Sequence, residues 1–144
     1  AADLLALYLP FLQPLQAGKG VRAVAHLGQS LDGCVATHDG DACFVTGEAN
    51  IVHLHRMRAL ADAVIVGAGT VANDDPKLTV RLVSGPNPVR VIVDPKAHLS
   101  PDLGVFRDGA APTLHCCDTS LERSVPLFAA ERLRVPAGAG ADSL

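Results

Sequence analysis

Asp74 and Asp75 form an adjacent carboxylate pair, Pro76 follows them, and Arg81 supplies a cation shortly afterwards. Just upstream, Gly67-Ala68-Gly69-Thr70 is nearly bare backbone, where another backbone or a ligand can come close. Paired acids, a nearby arginine and a bare loop together make a candidate ligand site. The same residues also read as plain structure. An Asp-Asp-Pro turn can cap itself through side-chain hydrogen bonds, and Arg58 or Arg81 taken singly is an ordinary surface cation.

Gly67-x-Gly69-x-x-Ala72 fits the relaxed glycine fingerprint of dinucleotide sites. That motif works by aiming a long helix's N-terminus at a pyrophosphate. Pro76 limits a helix beginning at Thr70 to about one turn. Position 87 is Asn, so no acid stands about twenty residues beyond Gly67 to hold a ribose. The spacing argues against a Rossmann site and leaves open cofactor contact by another geometry.

The remaining candidates favour packing. His53 and His55 lie about 200° apart around a helix, so both cannot face one ion, and zinc is not expected. At least one of them flanks an apolar stripe, and His26 reads as a satisfied core histidine. Cys34 follows a Ser-Leu-Asp-Gly turn with no local base, and Cys116-Cys117 falls in a strand-like run. Both read as buried thiols rather than nucleophiles.

These residues need a scaffold to hold them. Residues 63–66 (Ala-Val-Ile-Val) are too short an apolar run for a helix and read as a central strand covered on both faces. Residues 48–61 are helical, with Ile51, Leu54, Met57, Leu60 and Ala61 in one stripe, Thr46 as N-cap and Glu48 at the positive end. Further strands are expected at 21–27, 89–93, 113–117 and 133–135, with a helix within 121–132 despite Pro126. Residues 1–15 read as a short amphipathic helix broken at Pro10, leading into an arm through Gly18 and Gly20. The pattern is α/β: a three-layer, mostly parallel central sheet, with residues 1–20 as helix and arm and 21–144 as the domain.

Composition narrows the function. The chain has 144 residues, 49% of them hydrophobic and 3% aromatic, enough for one domain with a core of small aliphatics. A net charge of −3 and a pI near 6.0 give no general attraction to nucleic acid. Four cysteines without C-x-x-C spacing suit reduced thiols in a cytoplasm. No signal peptide or membrane span is evident.

Together, SLDG (30–33), HRMRALADA (55–63), VGAGTVANDDPKLTVR (66–81) and NPVRVIVDP (87–95) resemble one family. It is the reductase domain of bacterial riboflavin biosynthesis, 5-amino-6-(5-phosphoribosylamino)uracil reductase, whose fold is similar to dihydrofolate reductase. The match runs in order through about residues 21–106. It implies an NADPH-dependent reductase that delivers hydride to the ribosyl C1′ of a phosphorylated pyrimidine, in a likeness that also implies a cytoplasmic homodimer. By position, Gly28, Phe44, Thr70 and Asp74 match cofactor contacts, and Arg58, Leu78 and Arg81 match substrate contacts. A guanidinium pair is suited to holding a phosphate bidentately.

The chain departs from the family pattern at several places. Cys34 stands where a basic residue usually follows SLDG, and Ala42 and Phe44 stand where a serine and a tryptophan are usual. Pro95 replaces a serine after the NPVRVIVD strand. These departures suggest a different or relaxed substrate. The deaminase domain and the family's later glycine pair and acid are absent, and Asp142-Ser143-Leu144 reads as the opening of a helix, so the expectation is a chain lacking its C-terminal part. Beside the reductase reading stand a paralogue acting on another small substrate and a non-catalytic binding or dimerisation module of the same fold.

Overall fold

The computed structural model describes residues 2–12, 20–38, 47–118 and 130–135. Expectations at Phe44, Ala42, Thr46 and residues 119–129 lie outside them. The elements are helices α1 (Ala2–Leu12) and α2 (Glu48–Leu60), strand β1 (Ala63–Gly67), helix α3 (Ala68–Asp74), strand β2 (Val89–Val93), the single turn α4 (Gly104–Arg107), and strands β3 (Thr113–Asp118) and β4 (Ala130–Val135).

The strands form one parallel sheet in the order β1-β2-β3-β4, the α/β architecture expected. Its register pairs Val64 with Arg90 and Arg90 with Thr113, then Val66 with Ile92 and Ile92 with His115. Residues level in a parallel register share a face, so these side chains line one side of the sheet. On that side Val71 of α3 and Val105 and Phe106 of α4 close over Ile92 and Leu78, with Val64, Val66, Leu99 and Leu103 packed around them. Parallel neighbours require crossovers, and α3 and α4 provide them between β1 and β2 and between β2 and β3.

A buried polar lattice runs through the same side. Arg90 is fully buried, forks onto Asp108 at 3.0 and 2.8 Å, and donates to Thr113 Oγ1 and to the carbonyls of Ala111 and Lys77. Asp94, also fully buried, accepts from the His98 and Leu99 amides and pairs with His115 Nε2 at 2.9 Å. These bonds meet the requirement that a buried charge be paired and its polar atoms satisfied.

Several expectations are corrected. β1 is an edge strand of the described sheet and not a central one, and Ile65 on its outer face is 67% exposed. An apolar run cannot by itself tell one covered face from two. Residues 21–27 are not a strand: they are exposed, Val21 at 95%, and no ladder pairs them, because strand propensity needs a partner edge to become a strand. α1 continues through Pro10 to Leu12; so near the helix end, the proline removes a single ladder bond. α3 follows β1 directly and starts at Ala68, so it is longer than one turn, although Pro76 still ends it. β4 begins at Ala130, which keeps any helix in 121–132 from reaching its expected end. The turn α4 carried no sequence signal.

Candidate functional site

The bare stretch and the acids divide into different roles. Gly67 has extended backbone (φ −79) and serves as N-cap of α3 with no side-chain cap. A Cβ built at Gly67 or Gly69 meets nothing within 4 Å, so among the described residues no other element fills the room these glycines leave. Thr70 and Asp74 stand one turn apart on α3, both exposed. Asp75 instead takes the left-handed conformation (φ 38) that ends the helix, and its Oδ1 accepts the Gly104 amide at 2.8 Å. One acid of the pair is a strut; the other faces solvent.

From Asp75 the chain enters a loop held by hydrogen bonds at Lys77, Thr79, Val80, Arg81 and Asn87. Arg90 Nη1 donates to the Lys77 carbonyl, and the Val80 amide donates to Asn87 Oδ1 at 2.8 Å. Asn87 in turn donates to the Ala110 carbonyl. Leu78 has φ 55, a strained conformation for a side-chain-bearing residue, and is only 4% exposed. Its side chain points into the core beside Phe106 and Ile92. Any ligand contact at Leu78 must therefore be made by its backbone.

At the loop's end two cations meet. Arg58 Nη1, from α2, and Arg81 Nη1 both donate to the Thr79 carbonyl, at 3.5 and 3.4 Å, and Arg81 Nη1 also reaches Thr79 Oγ1 at 3.0 Å. Among the described residues no carboxylate forms an ion pair with either guanidinium. Burial first, and then the neighbouring Arg81, pull the Arg58 pKa down. Two unneutralised guanidiniums held on one carbonyl make a receptor for an anion with several acceptor oxygens.

His55, 2% exposed, sits under this pair, and its Nδ1 accepts the Arg81 amide at 3.0 Å. Burial, followed by the charges of Arg58 and Arg81, lowers its pKa, so the imidazole stays neutral and can accept. From the sequence it is only a possible metal ligand or a polar residue flanking the apolar stripe. The signal was its position three residues before Arg58, on the same helix face. His53 faces elsewhere, accepting or donating at 2.6 Å with Tyr8 of α1 and lying beside His26.

The structure thus brings Arg58 and Arg81 together and puts Thr70 and Asp74 on one helix face. Gly28 lies half-buried in the irregular segment before the Ser30–Cys34 turn, away from any strand. Phe44 is outside the described residues. In that turn the Ser30 hydroxyl bonds Asp32 and the Cys34 carbonyl, and Gly33 takes φ 83. Cys34 is exposed and Cys117 buried, which corrects the packing role expected for Cys34. Among the described residues no helix is long and apolar enough to cross a membrane.

Residues 23–127 match the family model of the RibD C-terminal domain. The riboflavin biosynthesis protein RibD of Mycobacterium tuberculosis is 45% identical over 85 residues, covering 56% of this chain and 25% of that protein. The 2,5-diamino-6-ribosylamino-4(3H)-pyrimidinone 5′-phosphate reductase of Methanothermobacter thermautotrophicus is 40% identical over 94 residues, 63% of this chain and 43% of its own length. Among solved structures, the diaminohydroxyphosphoribosylaminopyrimidine deaminase/5-amino-6-(5-phosphoribosylamino)uracil reductase of Thermotoga maritima superposes with a TM-score of 0.64 at 39% identity, over 74% of this chain and 30% of that one. The yeast riboflavin biosynthesis reductase Rib7 superposes with a TM-score of 0.61 over 93% of this chain and 58% of its own, at 21% identity, a likeness of fold. The chain spans between a quarter and less than half the length of these curated relatives.

Proposed function

The chain belongs to the RibD C-terminal domain family, and on that premise we propose that it is an NADPH-dependent reductase of the riboflavin type. Its substrate would be a ribosylated aminopyrimidine bearing a 5′-phosphate, reduced at the ribosyl carbon to the ribityl chain. The observation that carries this reading is the convergence of Arg58 and Arg81 on the Thr79 carbonyl without a carboxylate partner among the described residues. A phosphate brings the acceptor oxygens and the negative charge that such a pair lacks.

The cofactor reading rests on α3. The open space over Gly67 and Gly69, flanked by exposed Thr70 and Asp74, fits a flat ring system laid against the end of β1. Thr70 would donate to the cofactor, Asp74 would accept from its hydroxyl or amide groups, and Gly28 and Phe44 would complete its surroundings. NADPH, when bound, supplies the hydride. The protein's own part is positioning: Arg58 and Arg81 anchor the phosphate, the Leu78 backbone borders the substrate, and the pinned loop holds the anchor at a constant distance from α3.

The same reading makes the protein a cytoplasmic homodimer whose reductase domain spans residues 21–144, with residues 1–20 as a helix and arm. A paralogue acting on another small phosphorylated acceptor is the second reading. It is favoured by the exposed Cys34 and Pro95, which stand where the family usually has a basic residue and a serine.

Following NADPH absorbance with the phosphoribosylamino-pyrimidinedione as acceptor tests the proposal. Substrate-dependent oxidation supports it. Oxidation only with other phosphorylated acceptors selects the paralogue, and absence of NADPH binding by the full chain overturns both.

A further inference from the structure

We propose that His55 is a positioning residue for the anion site: its Nδ1 accepts the Arg81 amide and thereby sets the spacing of the Arg58 and Arg81 guanidiniums. The inference rests on the reading of that arginine pair as the substrate's phosphate anchor. His55 and Arg58 are three residues apart on α2 and so lie on the same face of one helix. Arg81 belongs to a different part of the chain, the loop that follows α3. The pair therefore has a defined geometry only if the loop is tied to the helix.

Gly85 packs closely against Ala59 of α2 further along the loop, and near Arg81 two hydrogen bonds make the tie among the described residues. One is the Arg58 bond to the Thr79 carbonyl, at 3.5 Å a long one. The other is the His55 bond to the Arg81 amide, at 3.0 Å and 2% exposed. The shorter, drier bond acts on the backbone of Arg81 itself, one bond from the Cα that carries the guanidinium. It also opposes a specific force. Two like charges directed at one carbonyl repel each other until an anion arrives, and the loop would otherwise relax outwards.

The chemistry also explains why the residue is a histidine. The acceptor must be Nδ1, which places the ring proton on Nε2. Protonation at Nδ1 would turn the acceptor into a donor facing the Arg81 amide. The charged groups facing the ring are Arg58 and Arg81, and burial and both cations disfavour that protonation. An aspartate here would accept equally well but would neutralise the cations meant for the ligand. A neutral acceptor leaves their charge available.

Asparagine and glutamine separate positioning from mere packing. The Asn side-chain oxygen falls near the place of Nδ1, whereas that of Gln reaches toward Nε2 and misses the Arg81 amide. In the full chain, His55→Gln and His55→Phe should each raise the KM for the phosphorylated substrate about tenfold, the loss of one buried hydrogen bond, with kcat and the KM for NADPH within about twofold. His55→Asn should restore KM to within about threefold. Calorimetric titration with ribose 5-phosphate reads the same order without turnover, and thermal unfolding shows which variants fold.

If His55→Phe does not fold, the comparison of Asn with Gln decides. Equal KM values for Asn and Gln overturn the inference, as does a Phe variant that binds normally while Arg81→Ala does not. If Arg58→Ala and Arg81→Ala leave both KM and ribose 5-phosphate binding unchanged, the phosphate anchor itself is refuted, a result distinct from failure of His55 alone.

Discussion

Arg58 and Arg81 donate to the same carbonyl oxygen, that of Thr79, one from helix α2 and the other from the loop beyond α3. Neither has a carboxylate partner among the described residues, while Arg90 has a bidentate one and Arg107 bonds Asp102. The fold neutralises the arginines it uses for structure. Arg58 and Arg81, which have no such partner, are adjacent, and that adjacency is the mark of a ligand site among the described residues.

Removing either anchor should be felt mainly in substrate binding. Arg81→Ala should raise the substrate KM roughly 10- to 100-fold, the loss of a charge-assisted hydrogen bond, with a smaller effect on NADPH. Arg81→Lys should recover only part of this, because an ammonium cannot reproduce the planar fork. Steady-state kinetics with both substrates varied gives the comparison; a larger change in the KM for NADPH than for the acceptor would mean the residues were assigned to the wrong ligand.

The acid pair should separate cleanly. Asp74→Ala is expected to weaken NADPH binding about tenfold, the loss of a single hydrogen bond made by a charged group, and to leave the melting temperature unchanged because Asp74 is exposed. Asp75→Ala should do the reverse, since its carboxylate holds the Gly104 amide. Fluorescence titration of NADPH alongside thermal unfolding measures both, and identical behaviour of the two variants would contradict the division of roles.

Arg90 carries a fully buried charge, so its substitution should cost stability. Arg90→Ala should destabilise the fold by roughly 3–5 kcal/mol, leaving Asp108 and the Ala111 and Lys77 carbonyls without their donor. Urea unfolding at neutral pH reads this directly. A cost below about 1 kcal/mol, the range of an exposed pair, would show that water replaces the guanidinium.

Stability should rise with pH in two separate windows. Burial alone would raise the Asp94 carboxyl, but bonds from His115, Leu99 and His98 outweigh it and hold the pKa low, while Arg90 chiefly holds Asp108 low. For both acids the unfolded chain binds more protons near pH 4, so their contribution is present above the unfolded pKa of about 4 and is lost as pH falls further. His55 and His53 are also lowered, chiefly by burial. Their stabilising effect is complete above the unfolded histidine pKa of about 6.5 and diminishes as pH falls below it. Melting temperatures measured from pH 7.5 down to 5 should decline, and His55→Asn should flatten part of that slope. An unchanged slope in the variant would assign the decline to other groups.

How far this was legible beforehand follows from the range of each interaction. β2 occupies the residues read as a strand, β3 extends that reading by one residue, and α2 ends one residue earlier than its apolar pattern. Those signals are local: alternation, β-branched runs and turn residues lie within a few positions of one another. The family match was legible for the same reason, because its motifs are contiguous. Pro76 likewise correctly announced the end of α3, since a proline acts on its immediate neighbours.

The sequence by itself therefore determined the α/β class, the elements α2, β2 and β3, the family and the residue types available for an anion and a cofactor. Tertiary structure alone decided what each residue does with them. It joined Arg58 to Arg81, buried His55 beneath them, turned Leu78 inward, and gave Asp74 and Asp75 opposite tasks. It also left β1 at the sheet edge and residues 21–27 unpaired. The reason is distance along the chain: the Arg81–His55, Asp75–Gly104 and Arg90–Asp108 bonds each join residues well separated in sequence. No local pattern encodes such a meeting. It exists only once the sheet and its crossovers have closed the intervening loops.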